Sequence, residues 1–208
     1  SYLKYIGILM IVILFSSLSL FSFTGPRLQV THIQTQMLVG LSENVRPIVR
    51  TDLAELQKID AYLNAAMLPS DYVYTVSSSH AFNDDILRNI NLPKAPTYNV
   101  SGAAHIDKRD GFPNYFFDAQ YIIVATPTQT HVEVDGQEVI TYLTSAITAG
   151  KAENLEPQSK FYIDNGITLT VYKKTSTYSP EFIKLIQTHF KNIYPGYPNL
   201  NNITYSGL

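Results

Sequence analysis

The chain has 208 residues, a formal net charge of −2 and no cysteine. Its length allows one domain with a sizeable core, and the near-neutral charge excludes the basic footprint of a nucleic-acid-binding protein. The lack of cysteine excludes disulfides, thiolate metal sites and cysteine nucleophiles.

The first predicted element is an apolar helix at the N-terminus. The run from Ile6 to Phe23 has no charged residue and lies between Lys4 and Arg27. Eighteen residues form a helix of about 27 Å, close to the hydrocarbon thickness of a bilayer. No A-x-A cleavage pattern follows the run, which favours a spanning helix over a cleaved signal peptide. One basic residue on each flank leaves the membrane orientation undetermined.

This helix divides the chain into two predicted parts. Residues 1–27 are predicted to form a transmembrane helix with its flanks, and residues 28–208 to form an α/β domain. The chain begins with Ser1 rather than Met. We therefore expect further membrane segments upstream.

The rest of the sequence alternates between helical and strand patterns. In chain order the patterns first predict a helix at Thr51–Met67, a strand at Asp71–Val76, and a helix at His80–Ile90 capped by Ser77–Ser79. A strand at Gln120–Ala125, a helix from Gly136 to a C-terminal cap at Gly150, and a hairpin over residues 160–174 follow. The last predicted element is a helix with Ser179 as its N-cap and Pro180 as its first residue, whose buried side chains are Phe182, Ile186, Phe190 and Ile193. Val132 and Val134 alternate before Asp135-Gly136 and also fit a hairpin.

Repeated strand-turn-helix units that end in a hairpin indicate an α/β fold. We predict a layered sandwich with a mostly parallel sheet and an antiparallel hairpin at one edge. Residues 91–113 show no regular pattern, and long irregular segments are often functional or disordered.

The densest polar segment lies within that stretch, from His105 to Pro113. His105 and Asp107 can ligate a metal if both face one side of an extended segment, and Arg109 can hold an anion. A metal site needs a third ligand, for which the chain offers His80, Asp84, Asp85 and His131. A simpler hypothesis than a metal site is a loop held by its own ion pairs and by the Asp110-Gly111 turn. The third hypothesis is that the segment contacts a ligand or a partner.

The polar residues after the predicted strands show no specific catalytic motif. Ser77–His80 is not a G-x-S-x-G elbow, and no Gly-rich loop follows either strand. A hydrolase using Ser78, His105 and Asp107 is an alternative, but helix capping explains the serines more simply. We predict no catalytic residue, no metal and no cofactor in this chain. The candidate ligand- or partner-binding residues are Ser78, His80, His105, Asp107, Arg109, Asp110, Thr128 and His131.

Four segments carry a family resemblance: Tyr72–Ser79, His105–Pro113, Ala119–His131 and Tyr162–Gly166. In this order they resemble the C-terminal extracytoplasmic domain of bacterial polytopic membrane glycosyltransferases related to dolichyl-phosphate-mannose protein mannosyltransferases. The resemblance spans Thr51–Pro198. It implies a polyprenyl-phosphate sugar donor and a catalytic acid in a loop that no position here matches.

The function implied by the resemblance is that of a soluble accessory domain in the bacterial cell envelope, which positions an acceptor or partner. Its expected partners are the membrane, the upstream transmembrane region of the same protein and a glycan or protein acceptor. Two alternatives stay open: a self-contained surface hydrolase or metal-dependent enzyme using His105 and Asp107, and an adhesion or assembly module that binds protein through residues 91–113.

Overall fold

The computed structural model describes residues 2–24, 50–104, 106, 108–200, 203 and 205. The chain divides into two compact units, Ser1–Arg50 and Thr51–Leu208. In the first unit, helix α1 spans Tyr2–Thr24 and exposes large apolar side chains from Tyr5 to Phe15. Across the residues named above, no helix combines the length and apolar character needed to cross a membrane. The predicted spanning helix therefore gains no support from the structure.

The second unit contains five helices, five strands and three short 3-10 turns among its described residues. In chain order they are α2 (Leu53–Ala66), β1 (Tyr72–Val76), α3 (Asp84–Asn89), β2 (Asn99–Gly102), α4 (Tyr115–Asp118), β3 (Tyr121–Thr126), a 3-10 turn (Val134–Gly136), α5 (Glu138–Thr148), β4 (Leu155–Ile163), a 3-10 turn (Asp164–Gly166), β5 (Ile167–Lys174), α6 (Pro180–Ile193) and a 3-10 turn (Pro198–Leu200).

The strands form one mixed sheet in the order β2-β1-β3-β5-β4. β1 pairs in parallel with β2 and β3, and β5 pairs antiparallel with β3 and β4. The predicted α/β class and the hairpin are confirmed, and Asn165 and Gly166 turn the hairpin at positive φ. The predicted mostly parallel sheet is confirmed in part: β2, β1 and β3 form a parallel side, and the sheet is mixed because β5 lies between β3 and β4 and pairs antiparallel with both.

Each face of the sheet carries its own hydrophobic core. Helices α4, α5 and α6 cover one face over Tyr74, Ile122 and Val124. Helices α2 and α3 cover the other, over Val73 and Ile123. Because both faces of the sheet are covered, β3 is a nearly continuous apolar run.

The termini of α5 and α6 follow the predicted caps. Ser179 Oγ accepts a hydrogen bond from the Phe182 backbone N–H at 3.1 Å, and Gly150 has a φ of 72° just after α5. At the C-terminal end of α6 the buried side chains differ from the predicted set. Ile193 is 45% exposed, whereas Ile183 is buried.

The largest local differences from the prediction lie in the segment that comes after β1 in the chain. The helix predicted at His80–Ile90 begins only at Asp84, where Asn83 Oδ1 accepts from the Ile86 N–H at 2.9 Å. Ser77 does not cap it, because its hydroxyl donates to the Phe82 carbonyl at 2.6 Å.

The segment predicted to be irregular contains the edge strand β2. This strand has the sequence Asn-Val-Ser-Gly and is only partly buried, so it shows no apolar run. Helix α4 was also missed, since four residues are too few for a helical period. After β3, the hairpin alternative is wrong because Val134–Gly136 is a 3-10 turn that leads into α5.

Candidate functional site

The candidate residues lie in three loops at one edge of the sheet. β1, β2 and β3 run parallel, so the loops that follow them start at the same edge. The predicted residues in these loops are Ser78 and His80 after β1, Arg109 and Asp110 after β2, and Thr128 and His131 after β3. His105 and Asp107 lie outside the described residues.

In a sheet of this order, a ligand crevice is expected where the strand order reverses, between the carboxyl ends of β1 and β3. Hydrogen bonds of the protein itself close that crevice. The Ser78 N–H donates to the Gln129 carbonyl at 3.0 Å, and the Ser78 hydroxyl donates to Gln137 Oε1 at 2.8 Å. Gln137 is only 1% exposed. The switch point is therefore filled by the β3–α5 connection.

Ser78 and His131 lie next to each other, but their contacts connect two loops and do not form a catalytic pair. The His131 backbone N–H donates to Ser78 Oγ at 3.1 Å, and the His131 ring Nδ1 lies 3.3 Å from Gln137 Nε2. The Ser78 hydroxyl thus donates to an amide and accepts from a backbone group. A nucleophilic serine needs an adjacent base that accepts its proton. This network lacks that arrangement and holds two loops together.

Several of the predicted residues lie at the protein surface. His80 and Thr128 are exposed, as is His131. Within the described ranges, no group of three His, Cys, Asp or Glu side chains could hold a metal ion. Two of the acidic residues considered as third ligands instead contact one arginine: Asp84 Oδ2 and Asp85 Oδ1 lie 3.2 Å and 2.5 Å from Arg88.

The loop after β2 is fastened to the loop after β3. The Lys108 N–H donates to the Gly136 carbonyl at 3.0 Å, and Lys108 Nζ lies 3.4 Å from Asp135 Oδ2. The Tyr194 hydroxyl also hydrogen-bonds to the Asp135 carbonyl. This ion pair joins two loops, whereas the sequence suggested ion pairs within one.

A cavity of about 390 Å³ opens beside β2, between the sheet, α4 and the loop that connects them. Tyr74 and Ser101 are register partners on β1 and β2, so their side chains share the face of the sheet that borders the cavity. Tyr74 is only 1% exposed. The buried hydroxyl oxygens of both residues have no hydrogen-bond partner. Such groups are rare in folded proteins and call for an explanation.

The polar side chains that line the cavity are acidic or uncharged. Asp110 and Asp118 line it, and none of the described residues along its wall is a lysine, arginine or histidine. Burial raises the pKa of Tyr74 well above its usual value, and the nearby Asp84 carboxylate raises it further. Tyr74 is therefore a protonated donor at neutral pH. At the rim, the Tyr115 ring is 63% exposed.

Of the predicted residues that the structure describes, only Asp110 lines this cavity. Sequence reasoning missed Tyr74, Ser101 and Asp118. Tyr74 and Ser101 lie within strands, and their proximity depends on the pairing of β1 with β2. One available signal was Ser101-Gly102, a small polar pair at a site of close approach. An ideal Cβ at Gly102 would lie only 2.2 Å from Thr75 Oγ1.

Comparison with known protein families, with curated proteins and with solved structures finds no match to this chain.

Proposed function

We propose that Thr51–Leu208 is a non-catalytic accessory domain of a membrane glycosyltransferase that uses a lipid-linked sugar donor, and that it positions the acceptor. The observation that carries this proposal is the cavity beside β2. Polar residues contribute to its lining, among them Ser101, Asp110 and Asp118. The family resemblance over Thr51–Pro198 supplies the enzyme class.

The state of Ser78 supports a binding role over a hydrolytic one. Its hydroxyl donates to Gln137 Oε1 and accepts from the His131 N–H. A reaction at Ser78 would first have to break this buried network. We therefore place the function of the domain in the cavity and not at the switch point of the sheet.

The proposed location is the extracytoplasmic face of the cell membrane. Large apolar side chains of α1 are exposed from Tyr5 to Phe15, and residues 6–23 contain no charge. Leaving such a surface in water costs about 25 cal/mol per Å², so cover by lipid or by apolar helices is favoured.

Transfer assays on the whole chain test the absence of catalysis. The chain is reconstituted in phospholipid vesicles and supplied with a radiolabelled polyprenyl-phosphate hexose, with and without a synthetic acceptor glycan. We expect neither transfer nor release of the sugar. Turnover that Ser78→Ala abolishes would establish the hydrolase alternative and overturn the accessory assignment.

Metal analysis tests the metal-dependent alternative. We expect no stoichiometric metal in the purified chain after dialysis against buffer. One metal ion per chain that is lost in His105→Ala would favour the enzyme reading. His189→Ala serves as the control, because His189 contacts Glu138 and Tyr142 between α5 and α6 and is not one of the candidate metal ligands.

Vesicle sedimentation tests the proposed location. The unaltered chain should sediment with phospholipid vesicles, and the double variant Leu9→Lys/Ile13→Lys should remain in the supernatant. Leu53→Lys is a matched control, since Leu53 is an exposed leucine at the start of α2. Equal sedimentation of all three chains would remove the role proposed for α1.

A further inference from the structure

We propose that the segment Tyr194–Leu200, which follows α6, is a strap that holds one wall of the cavity beside β2, and that its release uncovers the strand residues behind that wall. The wall is the segment Asp110–Pro113, which lines the cavity together with Tyr74 and Ser101 of the strands. This inference rests on the proposed function in one respect, because it takes the cavity as the binding site of the domain.

One residue of the wall borders the cavity and also contacts the strap. Gly111 lines the cavity, and an ideal Cβ at this position would lie 3.3 Å from both the Cβ and the backbone oxygen of Asn199. Gly111 has a φ of 96°, in the left-handed region that favours glycine. The backbone of the wall therefore lies directly against the strap at a residue that lines the cavity.

Polar contacts join the strap to the loops that follow β2 and β3. The Tyr194 hydroxyl donates to the Asp135 carbonyl. Lys108 Nζ lies 3.4 Å from Asp135 Oδ2 and 5.9 Å from the centre of the Tyr197 ring. The side chains of Lys108 and Asp135 are 33% and 77% exposed, and ion pairs so open to solvent contribute little to stability. The polar contacts thus position the strap, and its attachment depends mainly on apolar burial.

Apolar contacts attach the strap to the core of the domain. Leu200 is completely buried. The rings of Phe190 and Tyr194 are stacked with their centroids 6.3 Å apart, and the ring of Phe112 in the wall lies 5.9 Å from that of Phe190. The wall and the strap therefore share one aromatic neighbour at the end of α6, so a loss of packing in the strap should reach the wall.

The backbone hydrogen bonds donated by the strap are local. The Tyr197 N–H donates to the Tyr194 carbonyl at 3.0 Å, and the Leu200 N–H donates to the Tyr197 carbonyl at 3.2 Å. Neither bond belongs to the sheet, so the strap can separate without breaking a strand pairing. Local openings of this kind cost less free energy than global unfolding. The Ser101 hydroxyl oxygen is buried while the strap is in place, and we expect release of the wall to expose it.

Thiol labelling tests the strap, because the chain has no cysteine of its own. Ser101→Cys places a single thiol behind the wall, in the whole chain reconstituted in phospholipid nanodiscs. The probe is N-ethylmaleimide, and mass spectrometry measures the rate of modification. With the strap unaltered, we expect labelling to be at least about a hundredfold slower than in the same chain unfolded in urea.

Leu200→Ala removes the apolar anchor of the strap. We expect it to accelerate labelling of the Ser101→Cys chain at least about tenfold, because the strap is released while the strands stay paired. Leu143→Ala is the matched control, since Leu143 is equally buried in the same core but lies on α5. This control lowers the stability of the whole domain, yet labelling through local opening should change by less than about threefold.

Tyr197→Ala is a second strap variant, which keeps the test decisive if Leu200→Ala does not fold. Its control is Tyr172→Ala, because Tyr172 is also partly buried against the same core but lies on β5. We expect labelling to be about three- to tenfold faster with Tyr197→Ala and to change by less than about twofold with Tyr172→Ala.

Two outcomes would overturn the inference. Equal acceleration by the strap variants and their controls would mean that the thiol is reached only through global unfolding. Labelling of the native chain as fast as in urea would mean that the strap covers nothing. Neither result involves sugar transfer, so the accessory assignment is decided by its own assay. Transfer by the chain would overturn that assignment and leave the strap unaffected.

Discussion

The Ser78 hydroxyl and Gln137 Oε1 are 2.8 Å apart, although 59 positions separate the two residues in the chain. The same amide oxygen lies 3.2 Å from the His131 backbone nitrogen. One buried side chain thus satisfies polar groups from the loops after β1 and β3. Those loops occupy the position where similar sheets bind ligands.

Replacing Gln137 should destabilise the domain. Gln137→Ala removes the acceptor of the Ser78 hydroxyl and leaves a buried polar group without its partner, at a cost of about 2 kcal/mol. The urea midpoint of unfolding should fall accordingly, with an unchanged slope. Gln158→Ala is the matched control, because Gln158 is exposed on β4 and bonds only to the nearby Glu156 carbonyl. Equal midpoints for the two variants would contradict the role assigned to Gln137.

Gly102 should tolerate no side chain. A Cβ there would lie 2.2 Å from Thr75 Oγ1 and 2.9 Å from Asp84 Cβ, closer than real contacts allow. Gly102→Ala should lower the free energy of unfolding by about 2 kcal/mol through overpacking. In the Thr75→Ala background the loss should be smaller, since one clash is gone, and a double-mutant cycle measures this coupling. Gly196→Ala is the control, with no atom within 4 Å of the new Cβ; strict additivity would refute the proposed contact.

Buried tyrosine hydroxyls should differ in their effect on stability. Tyr178 Oη has no hydrogen-bond partner, so Tyr178→Phe should raise the free energy of unfolding by about 1 kcal/mol. Tyr98 Oη donates to Asp60 Oδ1 at 2.8 Å, so Tyr98→Phe should lower it by about the same amount. Chemical denaturation of both variants measures the two signs. A loss of stability in Tyr178→Phe would indicate that its hydroxyl has a partner.

Alkaline pH should unfold the domain. Burial raises the pKa of Tyr98, and its hydrogen bond to Asp60 raises it further; burial also raises the pKa of Tyr178. In the unfolded chain a tyrosine titrates near pH 10. Above that pH the folded state keeps protons that the unfolded state loses, so stability is fully present below about pH 10 and falls as the pH rises beyond it.

Each such tyrosine contributes a slope of about 1.4 kcal/mol per pH unit. Burial lowers the pKa of Lys174. This shift makes stability rise with pH, against the effect of the tyrosines, until the pH reaches the pKa of an unfolded-state lysine near 10.4. Above that pH the contribution of Lys174 no longer changes. Urea midpoints measured between pH 9 and pH 11 should therefore fall above about pH 10. Tyr98→Phe should reduce the slope and exposed Tyr162→Phe should not; a flat profile would contradict the raised pKa values.

Local sequence pattern was sufficient wherever one element carries its own signal. The apolar run of β3 and the Ser179-Pro180 helix start were both predicted within a residue or two. Each depends on the conformational preference of adjacent residues. Charge, length and the absence of cysteine likewise excluded whole classes of site without any coordinates.

The tertiary structure alone decided which polar groups meet. Ser78 was predicted as a site residue, but its hydroxyl is engaged by Gln137 from a distant loop. Tyr74 and Ser101 show nothing unusual in sequence, and only the register of β1 with β2 places these two residues side by side in the lining of one cavity. Hydrogen bonding and burial depend on contacts between residues far apart in the chain, whereas helix and strand patterns depend on neighbours. The class of the fold was therefore readable from the sequence, and the position of the candidate site was not.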